Sequence, residues 1–187
     1  MKKGYTLIEI LVAVSIFTVI ISAPTGFLVG SLKAQFKVLA LQKLLDQTSY
    51  LMEYMSRALR MAQKDTSGTC VTPGEGNNYK NYEKIGSTGI KFKNYKGECQ
   101  EFFLDENQRK LKESIDGVYT EIPLTSDDLE IVLFKIGSDV SWDQGDQDQP
   151  KVTLFLDIKG GRNRNEELRP EIKIQTTISQ RNLDVPY

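Results

Sequence analysis

MKKGYTLIEILVAVSIFTVIISAPTGFLVGSL, residues 1–32, decides how the rest of the chain is read. Lys2 and Lys3 open it, and from Tyr5 to Leu32 the sole charge is Glu9. Residues 10–32 form a 23-residue uncharged, mostly apolar run, long enough for a helix to cross a hydrocarbon core of about 30 Å. Lys33 and Lys37 follow the run, so the positive-inside count is balanced, and the short N-terminal side most simply stays cytoplasmic. A conventional secretory signal has a shorter apolar core with its cleavage site behind it. A plain single-pass anchor accounts for the length but not for Glu9, because an isolated carboxylate near a bilayer is costly unless it is paired or functional.

The string Lys3-Gly4-Tyr5-Thr6-Leu7-Ile8-Glu9 closely resembles the type III signal of type IV prepilins and pseudopilins, and so offers a third reading that gives Glu9 a task. The resemblance implies that a prepilin peptidase/methyltransferase cuts between Gly4 and Tyr5 and N-methylates Tyr5. Phenylalanine is commoner at that position, so tyrosine is a mild departure. Glu9 falls on the family's glutamate, the fifth residue of the mature chain, which is thought to meet the N-terminal amine of a neighbouring subunit. Each charge would then escape its desolvation penalty only by docking, which favours one register of insertion. The function implied is that of a structural subunit, a minor pilin or pseudopilin of a type IV pilus or of a type II secretion or competence pseudopilus. Its partners would be other pilin or pseudopilin subunits, a membrane platform protein, an assembly ATPase and, before assembly, cytoplasmic membrane lipid. The head would be extracytoplasmic, on the cell surface or in the periplasm once assembled. The alternative is a tip adhesin or DNA-binding receptor pilin whose head holds an external ligand.

Downstream of the run the pattern changes. Pro24 and Gly26 predict a kink or a melted turn. Leu41, Leu44, Leu45, Leu51, Met52, Met55, Leu59 and Ala62 recur at helical steps, so the helix continues as an amphipathic one to about Gln63. Arg57, Arg60 and Lys64 sit where a helix dipole favours cations. Residues 65–87 carry Ser67-Gly68, Pro73-Gly74 and Asn77-Asn78 and read as a loop. From residue 88 the signals are for strands, with a turn at Asp116-Gly117 and strict alternation over Val152–Ile158 and Ile172–Ile178. The expected fold is α+β, a long N-terminal helix packed on an antiparallel sheet. The expected divisions are a leader at 1–4, a membrane and assembly helix at 5–32, an amphipathic helical half at 33–64 and a β-rich head at 65–187. The string Thr176 to Asn182 also resembles the final strand of minor pilins and of J- and H-type pseudopilins.

Composition narrows the function further. The chain has no histidine, which removes the commonest general base and metal ligand together. Its 24 basic and 25 acidic side chains are interleaved, unlike the clustered excess of a nucleic-acid reader, and no enzyme signature emerges. Cys70 and Cys99 are the whole thiol inventory. An even count behind a membrane segment suggests a disulfide in an oxidising compartment, worth roughly 3–4 kcal/mol by loop entropy, and two unpaired thiols are the competing reading. Asp143, Asp146 and Asp148 crowd one loop, and the resemblance brings calcium to mind because some pseudopilins bind it in a loop. Their spacing does not match an EF-hand, so a solvated acidic turn is the reading preferred and no cofactor is expected. Arg162 and Arg164 lie in a Gly-rich turn that suits phosphate contact, as with DNA, but a hairpin loop with solvated arginines is the reading preferred. Trp142 reads as local packing.

Overall fold

The computed structural model describes residues 4–73, 79–121, 125–138, 140–143, 148–161, 166 and 169–181. One helix, α1, spans Leu7–Arg60, and the chain divides into two compact units, Met1–Leu39 and Ala40–Tyr187. The first unit carries the apolar part of α1. The helix runs unbroken through Pro24 and Gly26, so of the two outcomes expected from the sequence, a kink or a melted turn, the melted turn is not what forms. Proline removes one backbone donor, and Thr25 Oγ1 donates to the Ile21 carbonyl on the same turn at 2.9 Å.

In the second unit α1 turns one face inward. Leu44, Thr48, Leu51, Met55 and Leu59 are all buried, at the three- and four-residue steps that place side chains on one side of a helix, and Ala62, just past the helix, is buried as well. Leu41 and Leu45, read from the sequence as part of that stripe, stay exposed at 39% and 46%. Thr48 lies in the stripe instead.

The strands form two antiparallel sheets rather than one. β1 (Tyr82–Lys84), β2 (Gly89–Lys93), β3 (Cys99–Asp105), β4 (Lys110–Ile115) and β5 (Val118–Glu121) pair in chain order as a five-stranded meander. The β4–β5 hairpin turns on Asp116 and Gly117, both at positive φ (48° and 83°), as a two-residue Asp-Gly turn requires. β6 (Leu129–Ile136), β7 (Lys151–Gly160) and β8 (Glu171–Ser179) make the second sheet. Along β7 every second residue is buried, the period of a strand with one face on a core.

The core is shared between these layers and α1. Tyr82, Phe92, Phe102 and Trp142 are buried, with ring centroids 5.5 Å apart for Tyr82 and Trp142 and 5.6 Å for Phe92 and Phe102. The indole N–H of Trp142 donates to the Lys151 carbonyl at 2.8 Å, so this side chain is part of the packing. Glu130 on β6 accepts from both Arg109, in the β3–β4 turn, and Arg169, just before β8. The Ile131 N–H meets the Arg109 carbonyl at 2.9 Å, and together these contacts tie the two sheets.

α1 ends at Arg60, a little short of the expected Gln63, because the groups that follow find partners elsewhere. Tyr82 OH donates to the Leu59 carbonyl at 2.7 Å, and Arg181 N–H donates to that of Arg60 at 2.8 Å. The buried Gln180 amide donates to the Ala62 carbonyl at 2.8 Å, and Gln63 N–H donates to Lys93 O at 2.9 Å. Carbonyls that a helix end leaves without partners are thus served from distant parts of the chain.

Candidate processing and assembly site

Gly4 and Tyr5 precede the helix in non-helical, exposed chain. A Cβ built on Gly4 would meet nothing within 4 Å. No contact among the described residues therefore requires glycine at this position. Tyr5 is 85% exposed.

Thr6 and Glu9 form a reciprocal cap. The Glu9 carboxylate accepts from Thr6 N–H and Thr6 Oγ1, both at 3.2 Å, and Thr6 Oγ1 accepts from Glu9 N–H at 3.4 Å. The Thr6 carbonyl takes the first helical bond, from Ile10 N–H, at 3.3 Å. This is a capping box, Thr-x-x-Glu, and it places a carboxylate at the positive end of the helix dipole. The sequence reading singled out Glu9 and passed over Thr6, although the three-residue spacing carried the signal. Tyr5, Glu9, Ile10, Ala13, Val14 and Phe17 line an open, mostly apolar groove on the first turns.

Beyond the cap, the apolar side chains are uncovered. The most apolar 18-residue window of α1 has a mean hydropathy of 2.3, and none of it is buried. By length and composition this stretch is able to cross a membrane. Its hydroxyls are satisfied within the helix: Ser15 donates to Leu11 O and Thr18 to Ser15 O at 2.8 Å, and Ser22 to Val19 O at 2.9 Å. Such back-bonding leaves little polar surface to desolvate in lipid.

The other residues singled out in the sequence lie in the second unit. Cys70 and Cys99 stand 5.4 Å apart at Cα, within disulfide range. The loop that delivers Cys70 is built on Asp65, which is buried and was not anticipated. Its carboxylate accepts from the N–H groups of Cys70 (2.7 Å) and Val71 (2.9 Å) and from Ser67 Oγ (2.8 Å). Burial pushes the Asp65 carboxyl up, but the Val71, Cys70 and Ser67 donors outweigh it and bring the pKa from 3.8 down to about 2. The ionised form is thus preferred in the folded state. It contributes about 2 kcal/mol above the unfolded pKa, lost as the pH falls from about 4 towards 2. Asp65→Asn should flatten that acid limb of the stability curve, as read from urea midpoints. An acid limb unchanged in the variant would remove Asp65 as its origin.

Asp143 pairs with Lys80, at 3.7 Å. Asp146, like Arg162 and Arg164, lies outside the described residues. Among the described residues no three His, Cys, Asp or Glu side chains come together as metal ligands.

The model of the prokaryotic N-terminal methylation motif, the type IV prepilin-like signal, matches residues 1–23. No curated protein and no solved structure matches the chain at a significant level. The motif supports a type IV pilin- or pseudopilin-like protein, and its overlap with the uncovered apolar part of α1 suits a membrane-anchored one.

Proposed function

We propose that the chain is a minor pilin or pseudopilin, a structural subunit stored in the cytoplasmic membrane and assembled into a type IV pilus or a secretion or competence pseudopilus. The observation that carries this reading is the methylation motif at residues 1–23, with Gly4 exposed just ahead of a capped helix whose most apolar stretch is uncovered among the described residues. Cleavage between Gly4 and Tyr5 removes Lys2 and Lys3 and leaves one new α-amine, on Tyr5, beside the capping box. Glu9 then serves as the docking partner for the amine of a neighbouring subunit, supplied by a platform protein and an assembly ATPase. Cys70 and Cys99 are bonded in the oxidising compartment that houses the head.

The native N-terminus tests the first step. Mass spectrometry of the chain purified from its own membranes should find N-methylated Tyr5 at the start. Gly4→Leu should leave the full precursor, since the glycine requirement comes from the peptidase and not from the fold. A mature protein that still begins at Met1 would sink the proposal.

A further inference from the structure

β8 is an edge strand, and its outer side is open among the described residues. Its register with β7 is unbroken from Glu171 to Ser179. Gly160 N–H bonds to Pro170 O, and Gln180 N–H to Pro150 O, so even-numbered residues of β8 turn their main-chain groups to β7. By the alternation of an antiparallel ladder, Glu171, Lys173, Gln175 and Thr177 point theirs outward. Beyond them Arg181 N–H is taken by the end of α1, which closes that end of the edge.

Two features set this edge apart from a guarded one. It has no proline and no bulge between Glu171 and Ser179, two devices by which edges avoid pairing. Its charge is tied back onto the sheet, because Lys173 bonds Glu171 at 3.0 Å and approaches Asp157 at 3.6 Å. The apolar row on its inner side is also unfinished. Val152, Leu154, Leu156 and Ile158 of β7 are at most 2% exposed, whereas Ile172, Ile174 and Thr176 of β8 are only half-buried.

We infer that this edge pairs with the same edge of a second copy of the chain, antiparallel and centred on Ile174. That register sets Glu171 opposite Thr177 and Lys173 opposite Gln175, and places the two copies of Ile174 face to face. Every outward N–H and C=O from Glu171 to Thr177 finds a partner, no like charges meet, and the half-buried isoleucines are covered. Neighbouring registers are poorer. Centring on Lys173 opposes two ammonium groups, and centring on Gln175 runs the far end into Ser179, next to the part of the edge that α1 occupies. The pairing is independent of the filament reading.

The full chain in non-ionic detergent tests it by sedimentation velocity over a concentration series. The unaltered chain should dimerise reversibly. Gln175→Lys, which brings a cation opposite Lys173 of the second copy at both ends of the dyad, should weaken the dimer about tenfold. Gln175→Glu, at the same exposed position, should tighten it by a similar factor. Gln175→Pro removes only an outward N–H, sparing the β7 ladder, and should leave monomer. A chain that is monomeric throughout overturns the inference, including one that pairs only with a different subunit. So does a dimer indifferent to the charge at residue 175, which would place the contact on another surface.

Discussion

Glu9→Ala is expected to leave cleavage after Gly4 intact and to cut assembled filament by roughly 100-fold, the scale of an uncompensated charge in a low-dielectric contact. The bond proposed for cleavage, between Gly4 and Tyr5, lies ahead of the helix in exposed chain. The capping box makes the experiment sharper, because Glu9 has two separable tasks. As the third helical residue its side chain closes the cap with Thr6, and glutamine performs that task nearly as well. As a carboxylate it can neutralise the amine that processing creates on Tyr5, and glutamine cannot. Glu9→Gln should therefore fail in assembly almost as fully as Glu9→Ala. Thr6→Ala, which loses one side of the cap and keeps the charge, should assemble with a modest loss. The measurements are the N-terminal mass of membrane-held protein and the amount of subunit in sheared filaments. If Glu9→Gln assembles normally, the residue is a helix cap, and charge pairing is not what drives docking.

The largest loss of stability should follow Glu130→Ala. Arg169 holds the Glu130 carboxyl below the usual range against its burial, with Arg109 adding to the effect. Glu130 and Arg169 side chains are each only 10% exposed. Removing the carboxylate leaves Arg169 in a poorly solvated site with Glu166 and the Gly160 carbonyl as remaining partners. Stranding a partly buried charge costs about 3–5 kcal/mol, or roughly 10 °C in Tm for a protein of this size. Arg109→Ala should cost under about 1 kcal/mol, because that side chain is 57% exposed. Thermal unfolding of the two variants side by side checks this. Equal losses would mean that the tie between the sheets, and not the stranding of Arg169, sets the cost.

What the sequence disclosed followed the strength of its periodicities. The apolar run, the helical stripe through Leu51, Met55 and Leu59, and the alternation in β7 and β8 each repeat one signal over many residues, and each appears in the structure. β1, Tyr82–Lys84, was hidden inside a segment rich in turn residues, because three residues are too few for a period to show. The division into two sheets was equally illegible, and so was the tie between them, since Arg109 and Glu130 are 21 residues apart and neither has a local pattern. Leu41 and Leu45 were placed in the stripe on spacing alone, and spacing does not say where along a helix its cover begins. At the candidate processing site Gly4, Tyr5 and Glu9 were legible as a motif. Thr6 was legible in principle as a cap and was missed because Glu9 already had a reading. Asp65 belongs to a third kind, a single carboxylate held mainly by the backbone N–H groups of Cys70 and Val71, which leave no trace in side-chain identity.

The end of α1 carries a consequence for timing. The Ala62 carbonyl receives its donor from Gln180, 118 residues later, and Arg60 receives its own from Arg181. A chain made N-terminus first exposes this helix end long before either partner exists. The carbonyls of Arg60 and Ala62 stay open to water until the segment behind β8 arrives, so this end of the helix closes only after all three strands of the second sheet have been made. A chain interrupted anywhere before Gln180 keeps two unclaimed acceptors there, which makes the contact a latch on the folding of the head.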